Sequence, residues 1–532
     1  MIDILIKNAR VLDGSGAAAA SADIAVKDGR IVAVGSLDQP ANEIIDASGL
    51  VAAPGFIDVH GHTDLFAILD PGRASKLCQG ITTEICGQCG LGPAPVSDEY
   101  YPQYMGMLEG LGAPVYPDSR EFNTFGKYMA FMETLPLGIN TAYFIPHGMI
   151  RLAAMGISSA KPTPEQLDRM KGFIREAMEK GALGLSSGLA YAPGIFADED
   201  ELTELCEVVG EYGGIYTTHL RDQGNRVEQC VEETIRVAKK ANVRANVSHH
   251  KASGKDNWGK VASTIKMIHD AGIPAAHDVY PYAAASSTLL ATLPPYLQRL
   301  PHADIIAYLC NKENHGELEN AIFNPSVGFE SPLCDCGYDG LIIFHAATTS
   351  DAVGKSVKQY GREKELEPFD AYLKLLIDNG LSAGYIGFSM AEADVAMLLA
   401  DPLCMFGTDA LYVEGMPMIH PRAIGTFPRI LGRYVREAGQ MTLEEAVRKM
   451  TSLPAQFYGL SGKGLLRKDM DADIVIFDPV TIYDHADYRQ PLLPNAGIYR
   501  VIVGGKVAVV DDKPSGERNG KVLKANTREK LA

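Results

Sequence analysis

Apolar runs of four to seven residues, each followed by a helical pattern, recur through the middle of this 532-residue chain and restrict its fold more than any other feature. One period is explicit. Thr163-Pro164-Glu165-Gln166 opens a helix with a capping residue, a proline in the first turn and a glutamine that can bond back. Leu167, Met170, Phe173, Ile174, Ala177 and Met178 form its apolar face and Gly181 ends it. The strand candidate Ala182–Ser187 follows at once. Repetition of strand, loop and helix at roughly thirty to forty residues is what βα units of a parallel sheet produce.

Counting the ends of the apolar runs gives His62, Cys89, His147, Ser187, His219, His249, Asp278 and Asp409. Eight parallel strands close into a (β/α)8 barrel, an α/β fold whose catalytic residues stand at the carboxyl ends of its strands. The interval from Asp278 to Asp409 exceeds what one helix needs, so an insertion over about 286–347 is expected, placed to act as a lid. Both ends of the chain read instead as short strands: Ile2–Ala9, Ile24–Lys27, Ile31–Val34 and Glu43–Ile45, then Ile474–Phe477, Ile498–Val503 and Lys506–Val510. The division that follows is a small β-sandwich domain built from 1–52 and 465–532, and a barrel over 53–464.

Composition supports a globular enzyme, with 46% hydrophobic residues. A net charge of −17 leaves no basic field for phosphates, so nucleic acid is excluded as a partner and an anionic substrate must be gathered by local cations. Met1–Lys7 has no basic segment or cleavage site, and no run of about 18 apolar residues occurs, which points to a cytoplasmic protein with no membrane partner. Nine irregularly spaced cysteines read as reduced thiols. A homo-oligomer is compatible with all of this.

Six strand-end positions are metal-ligand types: His60, His62, Cys89, His219, His249 and Asp409. His60 and His62, two apart on a strand, point to the same side. A single histidine after a strand is more often a satisfied core residue, but six ligand types at successive strand ends reverse that preference. Cys86-Gly87-Gln88-Cys89 is formally a C-x-x-C, yet it lacks both a thioredoxin-like context and the second pair of a zinc ribbon. A thiolate at Cys89, in the open turn Gly-Gln-Cys-Gly, fits better, with Cys86 a buried thiol of strand two.

Seven segments carry a resemblance. They are Pro54–His62, Gly87–Gly90, Gly184–Tyr191, Thr218–Arg221, Ser248-His249-His250-Lys251, Asp278–Tyr282, and His420-Pro421-Arg422 with Gly425–Arg429. In this order the chain resembles the N-acyl-D-amino-acid deacylases, or D-aminoacylases, of the amidohydrolase superfamily. The resemblance implies a TIM-like barrel of the amidohydrolase type and a zinc cofactor. Zn2+ would sit tightly on Cys89, His219 and His249, and a second, weaker position would use His60, His62 and Asp409 with Cys89 bridging. Relatives that bridge two metals with a carboxylated lysine carry it after strand four, where this chain has Leu185-Ser186-Ser187-Gly188.

Zinc acidifies water and polarises a carbonyl, so amide hydrolysis follows, with Asp409 as the general base and acid. The implied substrate is a small anionic N-acyl-D-amino acid whose α-carboxylate is held by Lys251, Tyr282 and Arg422, with Tyr191 and Arg221 as further binding candidates. A related amidohydrolase acting on a cyclic amide, dipeptide or carbamate is the alternative. A non-catalytic assembly protein of this architecture would be expected to have lost metal ligands, and all six are present.

Overall fold

The computed structural model describes residues 1–116, 119–326, 328–412, 414–416 and 418–525. Eight short segments form its centre: Phe56–Asp58, Ile81–Cys86, Asn140–Tyr143, Gly184–Gly188, Ile215–His219, Arg244–Val247, Ala275–Val279 and Cys404–Phe406. Consecutive strands pair in parallel, the third continuing past Phe144 as Ile145–Pro146 to reach the fourth. The ring closes where Val59 N–H donates to the Phe406 carbonyl at 3.2 Å and Gly61 bridges Ala410. This is a closed (β/α)8 barrel.

Its interior explains why these segments are strands. Ile57, Ile85, Ala142, Leu183, Ile215, Ala276 and Met405 come from all around the ring and meet in one buried cluster. Tyr458, at the end of the helix Ser452–Tyr458, packs edge-on against Phe144 in the same cluster, centroids 5.9 Å apart. Apolar side chains therefore fill the amino-terminal half of the barrel, leaving the carboxyl ends for polar ones. The helix Pro164–Glu179 carries its capping box, with Thr163 and Gln166 bonding reciprocally, and buries Met170, Ile174, Ala177 and Met178.

Between the seventh and eighth strands lies an inserted unit. Ala285–Thr288, Gly384–Gly387 and Leu341–His345 form an antiparallel sheet with Gly384–Gly387 in the middle. Helices between them enclose a separate core that includes Leu297, Leu309, Ile343, Tyr372 and Leu376. The unit thus runs some way beyond the 286–347 expected. Leu341–His345 resembles a strand returning to the barrel, but its partner is Gly384–Gly387, so the chain returns only through the helix Glu392–Ala400.

The two ends of the chain share one sheet. Hydrogen bonding runs unbroken through eight strands, a ninth, Ala41–Asp46, pairing off this path with Ile2–Val11, and Val51–Pro54 pairs antiparallel to Ile474–Phe477 where the amino-terminal and carboxyl-terminal strands meet. Val51–Pro54 crosses the 52/53 division read from the sequence, and residues 526–532 of the carboxyl-terminal range lie outside the described residues. Among the described residues no helix is long and apolar enough to cross a membrane. All nine cysteines are unpaired.

Candidate active site

The barrel mouth gathers six ligand-type side chains around Cys89. Its Sγ lies 3.2 Å from His60 Nε2 and 3.3 Å from His249 Nε2. Two triads share it: His60, His62 and Cys89, and Cys89, His219 and His249, with donor atoms in each within 4.8 Å of one another. Asp409 Oδ1 is 3.2 Å from His62 Nε2 and 3.7 Å from His60 Nε2.

Local backbone geometry aims these donors. Cys89, His249 and Asp409 all have left-handed φ, at 57°, 34° and 48°. Such conformations cost a non-glycine residue about 1–3 kcal/mol and persist only where the surroundings impose them. Here Asp409 N–H donates to the His60 carbonyl at 2.7 Å, and His249 N–H to Asp278 Oδ1 at 2.8 Å. Gly90 brings its turn against strand four, where a Cβ would stand 2.8 Å from Gly188 N. Asp278 Oδ1 also lies 3.1 Å from His60 Nδ1, and so orients that ring.

The donor set fits a divalent metal. Burial raises the Cys89 thiol, but His60 and His249 beside it, with a hydrogen bond from His219, hold it well below the usual thiol range. Burial likewise raises Asp409, and Arg422 and His62 hold it well below the ordinary carboxylate range. Against its own burial, His62 is raised to about 9 by hydrogen bonds to Asp409 and Cys89. Without a metal, protons drawn onto His60 and His62 answer the Cys89 thiolate and the Asp409 carboxylate, a place a divalent cation can take, and nitrogen, sulfur and oxygen donors of this kind suit zinc. Among the described residues the buried His62 Nδ1 has no hydrogen-bond partner.

His62, Cys89, His219, His249 and Asp409 line a cavity of about 820 Å³ together with Lys251, Tyr280 and Arg422, with His60 buried behind them. Lys251 is lowered to about 8, chiefly by burial, and its Nζ lies 3.0 Å from Gln223 Oε1 and 2.9 Å from His249 Nδ1. Arg422 Nη1 pairs with Asp409 Oδ2 at 2.9 Å and Nη2 donates to Ser286 Oγ at 3.1 Å, while Nε is buried without a partner. Its guanidinium stacks on the Tyr280 ring at 4.6 Å, and the buried Tyr280 hydroxyl also has no partner.

The structure does not bring every expected binding residue to this cavity. Tyr282 is buried outside it beneath Arg429, whose guanidinium is 4.6 Å from the ring centroid, with its hydroxyl 3.4 Å from the Pro421 carbonyl. Tyr280, which sequence reasoning passed over, lines the cavity instead. Arg221 also points away: it binds Glu233 at 2.9 Å and the carbonyls of Ile195 and Ala197. Tyr191 does line the cavity, but its hydroxyl donates to the Cys89 carbonyl at 2.7 Å, supporting that turn. His250 is turned to Thr264 Oγ1 at 2.8 Å, and Cys86 is a buried thiol pushed well up by desolvation.

A closed parallel barrel with a thiolate, histidines and an aspartate at its carboxyl-terminal mouth defines a metal-dependent hydrolase of the amidohydrolase class. The chain belongs to the Amidohydrolase family, whose model matches residues 43–509, and within it to the N-acyl-D-amino-acid deacylases. It is 35% identical over 530 residues to an N-acyl-D-glutamate deacylase of Alcaligenes xylosoxydans xylosoxydans, covering 98% of this chain and 96% of that one. It is 33% identical to a D-aminoacylase of the same organism, covering 98% and 97%. The crystal structure of an N-acyl-D-glutamate deacylase from Bordetella bronchiseptica, complexed with zinc and a phosphonate mimic of the tetrahedral intermediate, superimposes with a TM-score of 0.84 at 34% identity. That match covers 98% of this chain and all of the other.

Proposed function

We propose that this protein hydrolyses the amide bond of N-acyl-D-amino acids in a zinc-dependent reaction, releasing a carboxylate and the free D-amino acid. One observation carries the reading: Cys89, His62, His219, His249 and Asp409 share one cavity with Arg422, Tyr280 and Lys251, so ligand-type donors and anion-binding groups face the same space. Cys89, His219 and His249 would hold the tight zinc, and His60, His62 and Asp409 a weaker one. When bound, zinc supplies Lewis-acid polarisation of the scissile carbonyl and acidifies a water.

The protein's own groups do the rest. Arg422, with Tyr280 and Ser286 beside it, offers a substrate α-carboxylate a forked donor in a desolvated setting. In the free protein that guanidinium neutralises Asp409 Oδ2. A substrate carboxylate competes for it and frees Asp409 to take a proton from water and return it to the leaving nitrogen. Lys251 adds positive charge and, through Nζ beside His249 Nδ1, fixes that ring. The nine unpaired cysteines suit a reducing, cytoplasmic setting.

The test is amine release from N-acetyl-D- and N-acetyl-L-amino acids with and without chelator. Turnover should be D-selective, abolished by chelator, restored by zinc, and reduced at least about a thousandfold in Asp409→Ala. Equal rates on both enantiomers would refute the assignment.

A further inference from the structure

An N-acyl-D-amino acid carries three groups about its Cα besides hydrogen: the acylated nitrogen, the carboxylate and the side chain. The cavity offers three chemically distinct walls. Met105, Met107, Leu111 and Ile157, packed on one core, with Leu290 beside Gly110, make one apolar side. Arg422, Tyr280 and Ser286 make a cationic and hydrogen-bonding one. The third is acidic: the inserted unit supplies Glu330 and Asp335, and Ser253 of the loop after strand six and Ser389 stand alongside.

This acidic wall adjoins the reacting centre. Glu330 Oε2 accepts from Gln223 N–H at 3.0 Å, and the Gln223 side chain contacts His249 Nδ1 at 3.0 Å and Lys251 Nζ at 3.0 Å. Asp335 Oδ1 lies close over Gly254, only 2.8 Å from where a Cβ there would stand. Among the described residues neither carboxylate is engaged in an ion pair, and the cavity's remaining cation, Arg299, is exposed and turned to Ser159 Oγ at 3.3 Å. Among the described residues the buried Tyr280 hydroxyl and Arg422 Nε, both on this cavity, have no geometric hydrogen-bond partner, which leaves donors there for a ligand.

Matching groups to walls leaves one arrangement. The α-carboxylate belongs with Arg422 and a simple acyl chain with the apolar side, so the side chain faces Glu330 and Asp335. We propose that these two residues select N-acyl-D-amino acids whose side chain ends in a cation, such as D-lysine or D-arginine, over those ending in a carboxylate. The inference rests on the deacylase reading and names the substrate class within it. Burial, together with the neighbouring carboxyls Asp335 and Asp222, raises Glu330 to about 8 even against the charge of Lys251, and burial and Asp222 raise Asp335 to about 7. A cation delivered by the substrate relieves that crowding, whereas a side-chain carboxylate adds to it.

The experiment compares kcat/KM of the zinc-loaded enzyme for the N-acetyl derivatives of D-lysine, D-arginine, D-leucine, D-glutamate and D-aspartate. It repeats the series with the near-isosteric Glu330→Gln/Asp335→Asn double variant. The cationic substrates should exceed D-leucine by about tenfold or more, and D-glutamate by about a hundredfold. The double variant should lower the D-lysine to D-leucine ratio by about tenfold or more. Preference for D-glutamate, D-aspartate or D-leucine, or a ratio unmoved by the double substitution, overturns this inference and leaves the deacylase reading intact. Failure of the zinc-loaded protein to hydrolyse any of the D-derivatives overturns both.

Discussion

Tyr282 N–H donates to the Tyr280 carbonyl at 2.9 Å, and this tight turn just past the seventh strand sends the two rings different ways. One reaches the cavity and the other packs under Arg429. Tyr280→Phe removes a donor aimed at a substrate anion and should raise KM about tenfold with little change in kcat. Tyr282→Phe, whose hydroxyl makes only contacts of 3.4 and 3.5 Å, should leave both parameters nearly unchanged. Steady-state kinetics on the two variants separates them, and the reverse ranking would displace Tyr280 from the proposed carboxylate site. The pair also marks where sequence reasoning stops. Within a strand, residues two apart share a side, which makes His60 and His62 legible together; beyond the strand end a single turn breaks that rule, and it does so again for Arg221, two residues after His219.

Elements pack through buried polar contacts as well as apolar ones. His277 Nε2 on strand seven lies 3.2 Å from Asp401 Oδ1, and His269 Nε2, at the end of the helix Val261–His269, lies 2.7 Å from Asp401 Oδ2 just before strand eight. Burial keeps His277 below the ordinary value of 6.5 despite Asp401. The unfolded chain therefore binds this proton more readily than the folded one, so its contribution is complete above about pH 6.5 and is lost as pH falls below that. Asp401, held below its ordinary range by the two histidines against its burial, follows the same sign at lower pH. Denaturant unfolding at pH 7 and pH 5 should show His277→Gln losing less stability on acidification than the parent protein; identical slopes would remove His277 from the account. Strands and helices of the barrel were legible because their apolar periods are local. The extent of the inserted unit was not, because Leu341–His345 carries the apolar pattern of a barrel strand and only its long-range partner Gly384–Gly387 shows otherwise.

At the scale of the whole molecule, the carboxyl-terminal segment ties the shared sheet back to the barrel. Gly520 N–H donates to Leu137, Thr141 N–H to Lys521, Leu523 N–H to Thr141 and Ala525 N–H to Gly181, at 2.7–2.9 Å. Truncation before Gly520 should cost at least about 4 kcal/mol, at about 1 kcal/mol for each of these four backbone bonds. The loss should appear as a lower Tm of the zinc-loaded protein, and an unchanged Tm would show that the segment is dispensable. That both chain ends build one small β-domain was readable from strand-rich termini, whereas its arrangement as one continuous sheet and this strap were not, since nothing local in the strands or in Gly520–Ala525 marks their partners.

The inserted unit has a consequence for how such a chain is assembled and diversified. Its first and last strands are neighbours, Ala285 standing opposite Gly387, so the polypeptide leaves the barrel and re-enters it at nearly the same point. Pairing of strands seven and eight would otherwise have to close a very long loop, at an entropic cost that grows with the logarithm of its length. Once the unit condenses around its own core, that loop shortens to little more than a hairpin's reach. Ser286, Glu330 and Asp335 all come from this unit, whereas the six ligand-type residues come from the barrel. Selectivity is thereby housed in a module whose exchange need not disturb the hydrolytic frame beneath it.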